Sequence, residues 1–219
     1  MSSVAVIDYG MGNLHSITKA LQLADPRVKV MVTSDHQTLL AADRVVFPGV
    51  GAIRDCMNAL TQRELIPILQ QAAVSKPFLG VCLGMQALLK DSEENQGTTC
   101  LGIIPGSVIR FAEGRIDTEG STLKIPHMGW NRVHPLKSHP LWEGIAPGSW
   151  FYFVHSYFVK PTEDTDIAAT TPYPDPFVSA ILHENIFAVQ FHPEKSQITG
   201  LRLLANFLAW DPERQAPVS

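Results

Sequence analysis

Charge is scarce in this chain: Lys, Arg, Asp and Glu make up 17% of its 219 residues, and the net charge is -4. No basic run concentrates that charge, which argues against nucleic acid as a ligand. Long apolar runs are missing as well. Asp8 ends the first and Lys90-Asp91 another, so no segment has the length to cross a bilayer. The opening Met1-Ser2-Ser3-Val4 lacks the basic and apolar regions of a secretory signal. Cysteine is limited to Cys56, Cys82 and Cys100, an odd number at unpatterned spacing. That excludes a disulfide framework and fits reduced thiols, so a cytoplasmic protein is expected. His-x-x-x-His spacing is absent, and no metal is expected. There is no repeat, low-complexity tract or linker-like stretch.

What is present is an ordinary hydrophobic share, 45%, enough at this length for one substantial core. The first ninety residues alternate strand and helix. Val4–Asp8 reads as a buried strand, and Val28–Val32, Asp43–Phe47 and Pro77–Val81 as further strands. Asn13–Ala24, Ala52–Leu60 and Glu64–Ala73 read as helices between them. This order predicts an α/β fold with a largely parallel sheet covered on both faces. Its strand C-termini, with Gly10, Gly49 and Cys82, should share one edge. After residue 95 the pattern changes to short β-prone runs: Ser107–Phe111, Trp130–Val133, Trp150–Val159, Phe177–Leu182 and Ile186–Phe191. Gly and Pro breakers between them predict added antiparallel strands in the second half. A helix over Thr199–Ala209 closes one domain spanning 1–210, and 211–219 reads as a frayed tail.

Three motifs carry chemistry. Cys82 lies in Gly80-Val81-Cys82-Leu83-Gly84, where a strand turns into a helix. A lone buried thiol is usually structural, but glycines on both sides and the strand-to-helix switch match a nucleophile elbow. The helix N-terminus would favour thiolate, the form that attacks. Cys56 and Cys100 lack that context and read as core or surface thiols. His192-Pro193-Glu194 supplies a base and a carboxylate to orient it. A single histidine near a strand is more often structural, but this one closes the run Ile186–Phe191 at the sheet edge. The remaining histidines (His15, His36, His127, His134, His139, His155, His183) show no comparable partner in sequence. Pro48-Gly49-Val50-Gly51 could be a plain turn; the alternative is an oxyanion hole in which a freed peptide N–H joins that of Leu83. Together these point to a Cys-His-Glu acyl-transfer enzyme. Gly10-Met11-Gly12 with Asp35 imitates a dinucleotide fingerprint, but His15 stands at the third glycine position, and no nicotinamide cofactor is expected. The loop remains a candidate contact surface. The aromatic run Trp150–Tyr157 reads as core packing that could also line a pocket.

In this order the motifs resemble the class I (triad) glutamine amidotransferases. Asp8–Leu14, Phe47–Ala52, Gly80–Gln86, Ser92–Glu94, Leu101–Gly106, Ile125–Asn131, Phe151–Tyr157 and Gln190–Ser196 carry the likeness, which spans nearly the whole chain. Pro126-His127-Met128-Gly129-Trp130-Asn131 points within the family to the branch that serves histidine biosynthesis. The departures are small: Ala188 stands where glycine is usual, and Pro174-Asp175 replaces a Gly-Glu turn. The resemblance implies a flavodoxin-like three-layer fold, glutamine as substrate and no cofactor. It implies a triad of Cys82, His192 and Glu194, and an oxyanion turn of Gly49, Val50, Gly51 and Leu83 in which a peptide flips into place. Gln86, Glu94 and the backbone of His155, Ser156 and Tyr157 would hold the amino-acid end of glutamine. Asn13, Trp130, Asn131, Tyr152 and Lys195 would face a partner, a cyclase subunit folded as a (β/α)8 barrel, in a heterodimer. Two alternatives stay open: a glutaminase serving another synthase (of pyridoxal phosphate, anthranilate or a nucleotide), and a catalytically silent binding subunit.

Overall fold

The computed structural model describes residues 2–116, 120 and 122–212. The first half runs β1 (Ser3–Ile7), α1 (Leu14–Ala24), β2 (Lys29–Thr33), α2 (His36–Ala41), β3 (Arg44–Gly49), α3 (Ile53–Gln62), α4 (Ile66–Ser75), β4 (Phe78–Cys82) and α5 (Leu83–Ala87). Strand β1 shows why a parallel sheet forms. Val4 and Val6 point into one core cluster with α1, and Ala5 and Ile7 into another with α2, α3 and α4. An apolar strand of this kind needs cover on both faces. Asn13 is the N-cap of α1 rather than its first residue; its side chain accepts from Ser16 N at 3.3 Å.

The second half contributes β5 (Asp91–Ser92), β6 (Thr98–Thr99), β7 (Gly106–Arg110), β8 (His127–Pro135), β9 (Ser149–His155), β10 (Tyr157–Pro161), β11 (Ile167–Pro172), β12 (Pro176–His183), β13 (Ile186–Val189) and α6 (Gln197–Ala209). Strands β2-β1-β3-β4-β13 are parallel, and from β12 onward the sheet is built mainly of antiparallel pairs, including β10-β7 and the branch β12-β11-β8-β9. α1 and α6 pack on one face and α2–α5 on the other, giving three layers. The expected α/β class and two-part sheet are what the chain adopts.

Three elements differ from the sequence reading. The single run expected over Trp150–Val159 is two strands. The chain leaves β8 after His155 and rejoins β7 at Tyr157, so it changes partners at Ser156. Helix α2 was missing from the reading because its six residues are too few to show a period. Its start signal is Asp35, whose carboxylate accepts from Thr38 N at 2.8 Å. Strand β11 lacks a clear strand pattern in sequence because Ala168-Ala169 and Pro172 break up its β-branched Ile167, Thr170 and Thr171, and it is held between β12 and β8. Of the expected tail, 213–219 lie outside the described residues. Among the described residues no helix is long and apolar enough to cross a membrane.

Candidate active site

Cys82 is the last residue of β4, and its backbone sits at φ 54, ψ -108, a region that non-glycine residues enter only under constraint from their surroundings. Glycines supply the constraint. A Cβ on Gly84 would lie 1.9 Å from the carbonyl oxygen of Phe47, so α5 starts in direct backbone contact with β3. Gly49 is the register partner of Cys82. A Cβ there would stand 2.7 Å from Leu83 Cβ and 2.8 Å from Tyr9 Oη. The Tyr9 hydroxyl donates to Pro48 O at 3.1 Å and pins the turn from below. Gly51 follows at φ +99, and Val50 between the glycines is 38% exposed, with its side chain outward at the cavity mouth. The Leu83 amide, in the first turn of α5, has no intrahelical partner.

His192 follows β13, which runs parallel to β4 with Val189 opposite Val81. Three residues later His192 Nδ1 lies 2.8 Å from Glu194 Oε1, with both side chains almost wholly buried. A carboxylate accepts, so Nδ1 carries the proton and Nε2 is left for chemistry. Among the described residues Nε2 has no hydrogen-bond partner. Burial pushes this imidazole down, but the charge of a Cys82 thiolate and then the Glu194 carboxylate outweigh it and raise it to about 10. The main chain is held equally firmly. His192 N donates to Tyr152 O at 2.9 Å, and the Ser196 hydroxyl donates to His192 O at 2.6 Å while accepting from Tyr152 N at 3.0 Å. Behind them α6 presses Gly200 onto Pro193, where a Cβ would be 1.9 Å from the Pro193 carbonyl.

Between the two lies a cavity of about 330 Å³. It is lined by Cys82, Leu83, Val50, Gly51 and His192 together with Gln86, Glu94 and residues 155–157. Every triad, oxyanion and substrate residue expected from sequence reaches this cavity except Gly49 and Glu194, which stand directly behind it. Pro126 and Val154 also line it and were not singled out. Their signal was faint: Pro126 opens the Pro-His-Met-Gly-Trp-Asn segment, and Val154 hides in the aromatic run. Glu94 Oε2 accepts from Ile53 N at 2.9 Å, standing in for the side-chain cap that α3 lacks. The Tyr157 carbonyl is already taken by Gln86 Nε2 and His155 Nδ1, and Ser156 O accepts from Phe111 N at 3.1 Å. Gln190, fully buried, was not picked out at all; its amide stands 3.6 Å from the Cys82 sulfur.

Three of the five residues expected at a partner surface, Trp130, Tyr152 and Lys195, form one neighbourhood. Trp130 meets Tyr152 edge to face at 6.1 Å, Lys195 Nζ lies 5.7 Å over the Tyr152 ring, and Asn131 follows Trp130 on β8. Asn131 turns its amide inward, donating to Pro172 O at 2.8 Å and to His127. Asn13 serves α1 as its cap. Cys56 and Cys100 are buried thiols, both pushed up to about 12 by burial. The absence of partners for other histidines was wrong for His183, whose Nδ1 lies 2.9 Å from Asp166 Oδ1, and for the His127–His155 pair at 2.9 Å. Those contacts join residues 17 and 28 positions apart, beyond the reach of local pattern. In the Gly10-Met11-Gly12 loop both glycines have positive φ, and Asp35 caps α2.

Comparison with known proteins adds to this geometry. The family model for glutamine amidotransferase class-I matches residues 5–210. A protein of Methylococcus capsulatus named imidazole glycerol phosphate synthase subunit HisH is 65% identical over 97% of this chain and 98% of its own. One of the same name from Nitrosococcus oceani is 57% identical over 96% and 99%. Among solved structures, one chain of PurLQS from Thermotoga maritima superposes with a TM-score of 0.69. It shares 15% identity and the match covers 95% of this chain and 98% of that one, a likeness of fold.

Proposed function

Because the chain belongs to the class I glutamine amidotransferases, we propose that it is the glutaminase subunit of imidazole glycerol phosphate synthase. In that role it hydrolyses glutamine to glutamate and ammonia and passes the ammonia to a cyclase subunit. There, imidazole glycerol phosphate and an aminoimidazole carboxamide ribotide are made in histidine biosynthesis. The observation that carries the chemistry is Cys82, held at φ 54 in a cavity also lined by His192, which is paired with Glu194. Near-full-length identity to subunits of that name carries the choice of branch.

The Cys82 thiolate attacks the side-chain amide carbon of glutamine. Charge gathers on the amide oxygen, where the N–H of Leu83 and a peptide of the Gly49–Gly51 turn donate to it. His192, protonated at both nitrogens and steadied by Glu194, gives the Nε2 proton to the departing nitrogen. Ammonia leaves, and a γ-glutamyl thioester remains on Cys82. The now neutral imidazole takes a proton from water, the hydroxide adds to the thioester, and glutamate departs with return of the sulfur's electron pair. Gln86 and Glu94, with backbone groups of residues 155–157, hold the amino-acid end. The cyclase docks on the surface around Trp130, Tyr152 and Lys195, forming a cytoplasmic heterodimer.

Glutamate release by Cys82→Ala, assayed in the assembled complex, is expected to fall roughly a thousandfold or more. Turnover near wild type would sink the assignment. Adding the cyclase with its nucleotide ligand should raise glutaminase activity severalfold or more, whereas equal activity alone and in complex would favour a stand-alone enzyme.

A further inference from the structure

The carbonyl of Tyr157 receives two donors, Gln86 Nε2 at 3.0 Å and His155 Nδ1 at 2.8 Å. A carbonyl oxygen only accepts and has two lone pairs, so it is saturated and sets the direction of every bond beyond it. On one side the Gln86 nitrogen must donate, so the Gln190 atom it meets at 3.0 Å is the amide oxygen. That leaves the Gln190 NH2 turned to the sulfur of Cys82, 3.6 Å away. On the other side His155 Nδ1 carries the proton, so its Nε2 accepts from His127 Nδ1 at 2.9 Å. The bare Nε2 of His127 in turn accepts from Asn131 Nδ2 at 3.2 Å. From Asn131 the donors run toward the Tyr157 carbonyl, and from Gln86 they run both back to that carbonyl and onward through Gln190 to Cys82. The order requires both imidazoles to be neutral, and burial enforces that: it pushes His127 down to about 4 and His155 to about 3.

Gln190 is 0% exposed, 104 positions from Gln86 and 108 from Cys82. A buried amide is costly unless both its ends are paired, and here one end is paired by sulfur. We propose that Gln190 is a further catalytic residue, donating a hydrogen bond to the Cys82 thiolate in an orientation fixed by Gln86 and the saturated Tyr157 carbonyl. This rests on Cys82 being the nucleophile of the glutaminase reaction above. As the thiolate attacks, the S–C bond forms and sulfur gives up its negative charge. When hydroxide displaces it from the thioester, the bond breaks and the electron pair returns to sulfur, where the Gln190 N–H meets it. The amide transfers no proton at any point. A neutral donor can steady the thiolate without competing with His192 as an acid.

Iodoacetamide labelling of Cys82 in the full chain, followed by the mass of its peptide, reads the thiolate without needing turnover. Losing a hydrogen bond to a charged group should slow labelling by Gln190→Leu roughly 10- to 100-fold. Its kcat should fall by a similar factor while KM for glutamine changes less than about threefold. Gln190→Glu keeps the oxygen for Gln86 but donates only when protonated, so its labelling should be slower than wild type at pH 8 and should gain an acid limb absent from wild type. A cooperatively folded Gln190→Leu that labels at the wild-type rate would overturn the proposal. If that variant does not fold, an unchanged pH profile in Gln190→Glu would overturn it alone. Inertness of wild-type Cys82 to the reagent would instead bring down the nucleophile assignment beneath it.

Discussion

Cys82 and His192 meet in one cavity, but the two halves of the molecule hold them by different forces. In the parallel half, Cys82 is fixed by exclusion. Its φ of 54 is tolerated because β3, β4 and α5 approach so closely that only glycine fits at positions 49 and 84. In the half that includes β9, β13 and α6, His192 is fixed by attraction. Hydrogen bonds from Tyr152, Ser196 and Glu194 surround it, and only Gly200 behind it is a forced small residue. Steric positioning fails all at once when an atom is added. Hydrogen-bonded positioning fails by degrees, because each partner can be removed separately and at modest cost.

The sharpest way to break the comparison is Gly84→Ala. Backbone opposes backbone there, so neither side can yield, and the added methyl should cost more than about 3 kcal/mol or prevent folding. Urea unfolding of the variant checks this; a midpoint within error of wild type would mean that α5 is not pinned to β3. Next in size is Glu194→Gln. The neutral amide loses the charge that favours imidazolium and orients the ring less surely, so kcat should fall roughly 10²- to 10⁴-fold. Stability should move far less than activity, measured as glutamate release beside a thermal melt.

Titration separates the histidines themselves. His127, His139 and His155 are pushed down in the fold, to about 4, 4 and 3, because burial disfavours the charged ring. For these the unfolded chain binds the protons first. Their contribution is therefore complete above pH 6.5 and is lost as pH falls toward 4, a loss on the order of a few kcal/mol. His192 has the opposite sign. Raised to about 10, it contributes stability that is full below 6.5 and fades as pH rises through 10. Denaturant midpoints at pH 4.5, 7 and 10 should show both flanks, and Cys82→Ala should flatten only the alkaline one. The smallest expected effect is that of Ser196→Ala. It leaves Tyr152 N and His192 O short of a partner in the core, costing about 1–3 kcal/mol with a partial loss of turnover. An unchanged melt and unchanged kcat would remove Ser196 from the support of the base.

The same difference explains what was legible beforehand. Steric positioning leaves its mark locally, as glycines within a few residues of the nucleophile, so the elbow at Cys82 and the turn at Gly49–Gly51 stood out in the bare sequence. His192 and Glu194 were legible because their contact spans two positions. Ser196 and Gln190 lie in the same segment without a visible role: Ser196 reaches His192 O four positions back, but its bond to Tyr152 N and those of Gln190 to Gln86 and Cys82 span 44 to 108 positions. Strands β1 to β4 were legible because continuous apolar strands with helices between them admit few arrangements, whereas β13, expected among the antiparallel strands, runs parallel to β4 and is antiparallel only to β12. Strand β11 and the break at Ser156 depend on which strands sit alongside, and that is a property of the assembled sheet.

Tyr152 combines two duties without mixing them. Its peptide N–H and carbonyl hold Ser196 and His192, and its ring lies outward beside Trp130 and Lys195. Any amino acid except proline offers the same peptide groups, so the identity of the ring can drift without loosening the base. A lineage could thus change the complexion of the proposed docking surface at this position, one substitution at a time, while the His192–Glu194 pair a few ångströms beneath stays in place. Selection on whom the protein meets and selection on what it does would act on the same residue through different atoms.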